Sequence, residues 1–352
     1  MFITGLGTAT PPQCYTQQQC WDLAKGADAI RKLSPRSQAL LRKVLLGDNG
    51  IQTRFLALNS LDEIFQSEPD ALHRRFAEHA PSLATQAANA ALRNAGLEPG
   101  SIDALLVSTC TGYLCPGLTS YVSERLGLAP DAILLDLVGQ GCGAALPNLV
   151  TAEALVASGR AERVLSVCVE ICSAAFYLDD DPGVLISACL FGDGAGAAVL
   201  AAQPSPHGRR LEWKTAQTHT SPADRDYLRF EQRDGKLRNI LTKQVPELAA
   251  KYAEHLLSQV LAATNLRKEN ITTWIMHAGG QNILTALRDR LGLTTNQLRW
   301  SAEVLRRHGN LSSPCVLFVL QAAMRGEAPH GHWWLSSFGA GFACHGALLA
   351  VS

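Results

Sequence analysis

Charge is scarce in this chain, and so are long apolar runs. Asp, Glu, Lys and Arg make up only 18% of the 352 residues, and 31 basic side chains balance 31 acidic ones. Without a basic excess the chain lacks the electrostatic footprint of a nucleic-acid binder or a polybasic membrane-surface protein. Hydrophobic residues reach 47%, yet no run approaches the ~20 residues that span a bilayer. The opening segment, MFITGLGTATPP, has no basic stretch ahead of an apolar one. It is read as a strand and turn, not as a secretory leader. No CxxC pair occurs, and Cys110/Cys115 with Cys168/Cys172 lack zinc-ligand spacing, so no metal site is expected. Cys168, Cys172, Cys189, Cys315 and Cys344 lie inside apolar runs, which predicts free thiols in a reducing cytoplasm. The length exceeds one ordinary domain and allows a large core.

What the chain does have is a cysteine among glycines. In Asp136-Leu-Val-Gly-Gln-Gly-Cys142-Gly-Ala-Ala an apolar run with strand character, from Ala132 to Val138, turns sharply through glycines. Cys142 arrives at the start of a helical segment that runs to about Ala157. Helix N-terminal N–H groups and the positive end of the macrodipole favour thiolate there, so a lowered thiol pKa is expected. This is the layout of an acyl-accepting nucleophile. A small buried cysteine in a tight strand–helix turn accounts for the same segment equally well.

The second half repeats the order of the first. Ile102–Thr109 reads as a buried strand, and Ile271–Ala278 matches it 169 positions later. Gly141-Cys142 opens a helix closing near Gly159; Gly309-Asn310 opens another 168 positions later, closing near Gly326. Arg163–Val169 and His332–Ser337 follow as strands. Gly192–Leu200 and Phe338–Leu349 end each half on a glycine-rich turn and a last strand. The simplest architecture is two packed α/β halves, 1–205 and 206–352, with mixed sheets and central helices. A duplicated fold aims equivalent helix starts at one interface, so Cys142 and Asn310 can face each other there. His277, at a strand end before Gly279-Gly280, can project into the same space. Taken singly, His277 fits a hydrogen-bonded core histidine and Asn310 a helix cap.

These segments resemble the type III polyketide synthases, the chalcone and stilbene synthase family of the thiolase superfamily. The likeness rests on Gly139-Gln-Gly-Cys142, Trp274-Ile-Met-His277-Ala-Gly-Gly-Gln-Asn-Ile-Leu284 and His308-Gly-Asn310-Leu-Ser-Ser-Pro-Cys. Leu190-Phe-Gly-Asp-Gly-Ala195 and Ser337-Phe-Gly-Ala-Gly341 add the two glycine-rich turns. The resemblance implies a layered αβαβα thiolase fold with five-stranded mixed sheets, a homodimer, and no metal or redox cofactor. It implies that Cys142 takes a starter acyl group from acyl-CoA. His277 and Asn310 would then serve the decarboxylation of malonyl-CoA, and condensation and cyclisation would give a pyrone or a resorcinol- or phloroglucinol-type ring.

Further positions follow from the resemblance alone. Arg54 falls at the CoA phosphates, and Asn282 and Gly341 fall along the CoA tunnel. Cys110, Thr111, Cys172, Ala175 and Ser312 fall on the cavity wall, and Cys115 falls on a loop reaching a partner subunit's cavity. Asn239 stands at one of two positions that carry gating phenylalanines in plant members, with the other around Arg210 to Leu211. Ser337 and Ala340 replace a glycine and a proline of the loop that shapes cyclisation. A polar gate and small cavity residues favour an aliphatic starter over an aromatic one. Two alternatives stay open: a ketoacyl-ACP synthase III-like or other thiolase-superfamily condensing enzyme, and a non-catalytic acyl-CoA-binding protein of the same fold.

Overall fold

The computed structural model describes residues 1–206 and 208–352. Its strands are β1 Phe2–Ala9, β2 Cys14–Thr16, β3 Thr53–Phe55, β4 Ala104–Ser108, β5 Ile133–Leu137, β6 Arg163–Glu170 and β7 Gly194–Ala201. They continue as β8 Leu211–Thr220, β9 Leu228–Arg233, β10 Lys236–Leu241, β11 Ile271–Met276, β12 Gly331–Gly339 and β13 Ala343–Val351. Nine of them form one sheet in the order β11-β12-β13-β8-β1-β7-β6-β4-β5.

The duplication is written in this order. β4–β6 is parallel, and β6–β7 and β7–β1 are antiparallel. β11–β12 is likewise parallel, and β12–β13 and β13–β8 are antiparallel. Among the described residues the two sets pair at Phe2↔Glu212 and Ile3↔Leu211, with Trp213 N–H also donating to Met1 O at 3.0 Å, so the halves join through a narrow seam. β5, the strand that leads to Cys142, extends the first half by pairing with β4 and has no counterpart among the described strands of the second.

Helix Pro69–Ala95 covers β1, β6 and β7, and helix Val245–Thr264 covers β8 and β13. The first presents Ala80, Ala84, Ala87, Ala88 and Ala91, all fully buried. Small side chains at helical spacing let it lie almost on the strand. A Cβ on Gly5 or Gly7 would stand 2.2 Å from the Ala91 or Ala87 carbonyl oxygen. Between the sheets run helices Ala145–Ala157 and Cys315–Arg325, each touching strands of both halves. The layers are therefore helix, sheet, helix, sheet, helix. No helix among the described residues is long and apolar enough to cross a membrane.

One expected start differs. The second central helix begins at Cys315 behind Pro314, not at Gly309-Asn310. Asn310 is extended and forms a parallel bridge with Phe191, and Ser312 takes a left-handed φ of 58°. Both conformations are incompatible with a helix. Asn310 is therefore no helix cap.

Candidate active site

β5 ends at Leu137, and Gly139 and Gly141 turn the chain through positive φ into a single 3₁₀ turn, Gly141–Gly143. A Cβ on Gly141 would stand 2.9 Å from the Ala340 backbone nitrogen, so the second half's loop closes directly over this turn. Cys142 sits at its middle, just ahead of helix Ala145–Ala157.

His277 follows β11, and its backbone N–H donates to Ser336 O at 2.8 Å, prolonging the β11–β12 pairing by one residue. The ring is 1% exposed and meets Phe338 edge-on at 5.1 Å. Its Nδ1 is sealed with no hydrogen-bond partner. No protein group therefore fixes the tautomer, and the cavity-facing nitrogen is free to accept or donate.

Asn310 is pinned from both sides. Its N–H donates to Leu190 O at 2.8 Å, and its carbonyl accepts from Gly192 N at 3.0 Å. Its side-chain Oδ1 accepts from Ser312 N at 2.8 Å, and Nδ2 donates to Gly279 O at 3.1 Å. A backbone N–H can only donate, so the amide orientation is fixed. One Nδ2–H remains unspent.

All three side chains line one cavity of about 650 Å³. Its wall is largely hydrocarbon, from Leu40, Val44, Ile186, Leu190, Phe230 and Leu241, and Asn239 and Asn282 also face it. Lys43 and Lys243 stand exposed on its lining, in no ion pair among the described residues.

Burial governs the resting charges. It pushes the Cys142 thiol up to about 12 against the lowering effect of a hydrogen bond from Ser312, whose Oγ lies 3.2 Å from Sγ. It pushes His277 down to about 4. The lowered thiol pKa expected from the helix start is thus not what this environment produces. Cys142 is partly buried on the cavity wall, and desolvation there raises the thiol while it lowers the imidazole, which favours the neutral pair at rest.

Several expected wall residues stand behind the nucleophile instead. Glu170, at the end of β6, is fully buried. Its carboxylate accepts from Thr109 Oγ1 at 3.2 Å, Cys110 N at 3.0 Å, Thr111 Oγ1 at 2.9 Å and Ser313 Oγ at 2.5 Å. Cys110 Sγ, 3.3 Å away, and Ser312 Oγ, 3.5 Å away, complete the shell. Thr111, Cys110 and Ser312 are therefore scaffold around this carboxylate, and of the three Ser312 hydrogen-bonds Cys142. Cys172 packs with Leu56, Leu58, Phe176 and Phe191, and Ala175 lies in the short turn after it; neither faces the cavity. Glu170 itself was not among the expected residues. A lone Glu at the end of an apolar strand, followed by Ile171-Cys172, was its only signal in the sequence.

Arg54 requires the plainest correction. It is 1% exposed, and its guanidinium donates to Gln17 Oε1 at 3.0 Å, Ala188 O at 2.7 Å, Phe191 O at 2.9 Å and Cys20 Sγ at 3.4 Å. A donor set spent on the protein cannot reach a CoA phosphate. Gly341 lies outside the cavity wall, where its neighbour Ala340 stands. The second gate position expected near Arg210–Leu211 falls at the start of β8, where Leu211 is buried and Arg210, just before it, is exposed; neither lines the cavity. Phe230, paired with Asn239 across the β9–β10 hairpin, holds the cavity position instead. Cys115 is exposed and outside its own chain's cavity.

This geometry is that of a thiol-dependent condensing enzyme of layered, duplicated fold. Comparison with known proteins narrows the class. Residues 1–204 match the family model of the chalcone and stilbene synthase N-terminal domain, and residues 214–350 that of the C-terminal domain. A 3,5-dihydroxyphenylacetyl-CoA synthase of Streptomyces toyocaensis is 31% identical over 328 residues, covering 90% of this chain and 80% of that protein. One from Amycolatopsis balhimycina is 31% identical over 320 residues, covering 90% and 83%. The crystal structure of PKS-I from the brown alga Ectocarpus siliculosus superposes with a TM-score of 0.92 at 25% identity, covering 99% of this chain and 97% of that one. The C-terminal type III polyketide synthase domain of Steely1 from Dictyostelium shares the fold, with a TM-score of 0.89 at 23% identity over 99% and 98%. The chain belongs to the chalcone and stilbene synthase family; it is a type III polyketide synthase, a decarboxylative condensing acyltransferase.

Proposed function

We propose that Cys142, His277 and Asn310 are the catalytic residues of this synthase. They load an aliphatic starter from acyl-CoA, extend it with malonyl-CoA and close it to a resorcinol-type ring. The carrying observation is that three element ends, from both halves, open onto one cavity of about 650 Å³. His277 takes the thiol proton as Sγ attacks the thioester carbonyl, since neither group is charged at rest. CoA leaves, and the acyl group stays on Cys142. Malonyl-CoA then loses carbon dioxide, and negative charge develops on its thioester oxygen. The unspent Nδ2–H of Asn310 and the open ring nitrogen of His277 are the donors available for it. The resulting carbanion attacks the Cys142 thioester carbonyl, the acyl–sulfur bond breaks, Cys142 leaves as thiolate and takes up a proton, and the chain, now held on CoA, is two carbons longer. No step draws on a resident metal or redox cofactor.

The aliphatic starter now rests on the hydrocarbon wall, because Cys110, Cys172 and Ala175 do not contribute to it. The resorcinol-type product rests on the relatives, whose named product is a dihydroxyphenylacetyl thioester. Residues 1–205 and 206–352 act as the nucleophile half and the His/Asn half. The pantetheine arm passes Asn282, with Lys43 and Lys243 facing the phosphates. The protein is proposed to work as a homodimer, covering Leu134, Leu135, Val138 and the 72%-exposed Tyr113 beside the edge strand β5 and bringing Cys115 to the partner. Ten free thiols suit a reducing compartment such as the cytoplasm.

Labelled malonyl-CoA, offered with short, long and aromatic acyl-CoAs, tests the activity and the starter. Intact-protein mass spectrometry should show an acyl adduct on Cys142 that is lost in Cys142→Ala. An adduct on Cys110 or Cys172, or none with any starter, overturns the assignment.

A further inference from the structure

At the reacting end of the cavity stand the spare Nδ2–H of Asn310 and the open nitrogen of His277. A side-chain acceptor stands apart from them, on β10. Asn239 is 7% exposed and lines the same cavity.

Its amide can point only one way. Ser187, on helix Pro182–Leu190, donates its single hydroxyl proton to Gly183 O at 2.7 Å, one turn back. The Ser187 oxygen can then only accept, and Asn239 Nδ2, 2.9 Å away, is its donor. The relay fixes nitrogen toward the helix and Oδ1 away from it, removing the usual ambiguity of an amide. Oδ1 takes no donor among the described residues and is not sealed by the protein. Its cross-strand partner Phe230 and the nearby Leu241 line the same wall. An unpaired acceptor on a largely hydrocarbon wall is unfavourable when a ligand covers it without a donor, and favourable when the ligand brings one.

We propose that Asn239, oriented by Ser187, is a specificity residue that accepts a hydrogen bond from a neutral N–H or O–H donor on the bound thioester. This rests on reading the cavity as the acyl-CoA site. A fixed carbonyl oxygen discriminates against carboxylates and phosphates, so the donor comes from one of two places. It is an amide N–H of the pantetheine arm or a hydroxyl on the acyl or growing polyketide chain.

Two variants and two substrate pairs test this. Asn239→Leu deletes the acceptor at similar size. Ser187→Ala frees the amide to turn. The first pair is an acyl-CoA and the same acyl group on a simple alkyl thiol without amides. The second is a hydroxyacyl-CoA and its plain acyl-CoA. Starter loading is followed for each, with kcat and KM determined separately. Asn239→Leu should lose roughly 10- to 100-fold in kcat/KM for the donor-bearing member of one pair only. Ser187→Ala should lose severalfold in the same pair. Loss confined to the first pair identifies the amide; loss confined to the second identifies the hydroxyl. Equal change in both members of both pairs, in variants that melt within a degree or two of wild type, overturns the proposal and leaves Asn239 a wall residue. Unaltered discrimination in Ser187→Ala beside its loss in Asn239→Leu overturns the orienting role of Ser187. Wild type that loads no CoA thioester at all refutes the reading of the cavity, a result separate from these.

Discussion

Two polar clusters flank Cys142, and they are built on opposite rules. Behind the sulfur, the Glu170 carboxylate accepts from Thr109, Cys110, Thr111 and Ser313, while Ser312 spends its single hydroxyl proton on Cys142. In front, Asn310 keeps one N–H unspent, and His277, whose Nδ1 is sealed without a partner, leaves its other nitrogen open to the cavity. A buried polar group left unmade is costly, so protein interiors satisfy nearly all of them. The rear cluster obeys this and reads as scaffold. The front cluster departs from it where charge must develop on a substrate.

The contrast is sharpened by substitution on each side. In front, Asn310→Ala removes a donor that matters once the enolate forms. Decarboxylation of malonyl-CoA should fall by roughly 100- to 1000-fold, or ~2.7–4 kcal/mol. Acyl loading on Cys142, seen by mass spectrometry, should persist, because that step comes earlier. Near-normal decarboxylation in the folded variant would place Asn310 among the scaffold after all. Behind, Glu170→Gln sets an amide NH₂ against a ring of donors. It should lower the unfolding free energy by about 2–4 kcal/mol, read as a lower urea midpoint with an unchanged slope, while the folded enzyme still loads. The reverse pattern, full stability with lost loading, would make Glu170 part of the chemistry.

Protonation separates the two sides as well. Burial lowers His277, His308 and His345 to about 4, whereas each titrates near 6.5 when unfolded. The unfolded chain therefore binds more protons below pH 6.5. Stability should be level above pH 7 and fall as pH drops toward 4, at ~1.4 kcal/mol per pH unit for each histidine. Glu170 and Asp193, whose carboxyls burial raises, oppose this toward the acid end. His345 makes the effect separable, since its Nδ1 meets Thr218 Oγ1 at 2.9 Å and its Nε2 has no partner. His345→Gln should flatten the slope by about one proton. An unchanged slope would show that His345 is protonated in the folded state.

The same contrast explains how far the sequence could be read. Cys142, His277 and Asn310 were legible because each ends a strongly patterned element beside glycine, and the repeat supplied the third dimension. The division into two halves with mixed sheets followed for the same reason, whereas the strand order was not read from the sequence. Positions transferred by resemblance alone fared worse. Cys110 and Thr111 bond Glu170, Cys172 packs in a buried cluster, and none of these or Ala175 is among the residues lining the cavity. Facing, unlike proximity, is not encoded in spacing. The pKa direction of Cys142 was misjudged because a helix start is visible in sequence and desolvation is not. Glu170 was invisible because its partners come from two segments far from it and from each other along the chain, 109–111 and 312–313.

Arg54 and Lys43 give the smallest and most pointed test of that lesson. Both are basic, and sequence offers no way to choose between them. Arg54 has its guanidinium turned inward onto two carbonyls, an amide oxygen and a sulfur. Lys43 stands exposed on the cavity lining. An exposed cation facing a phosphate contributes ~1 kcal/mol, and salt screens it. Lys43→Ala should thus raise KM for CoA thioesters severalfold at low ionic strength and hardly at all in 0.5 M salt, on the order of a 4 Å screening length. Thioesters of pantetheine, which lack the nucleotide phosphates, should not notice the change. Arg54→Gln should leave KM alone and lower the melting temperature, because the carbonyls of Ala188 and Phe191 lose their donor in the interior. If Arg54→Gln instead raised KM in a salt-dependent way at wild-type stability, the inward-facing guanidinium would have to swing out on binding, and the assignment of the phosphate site would pass back to Arg54.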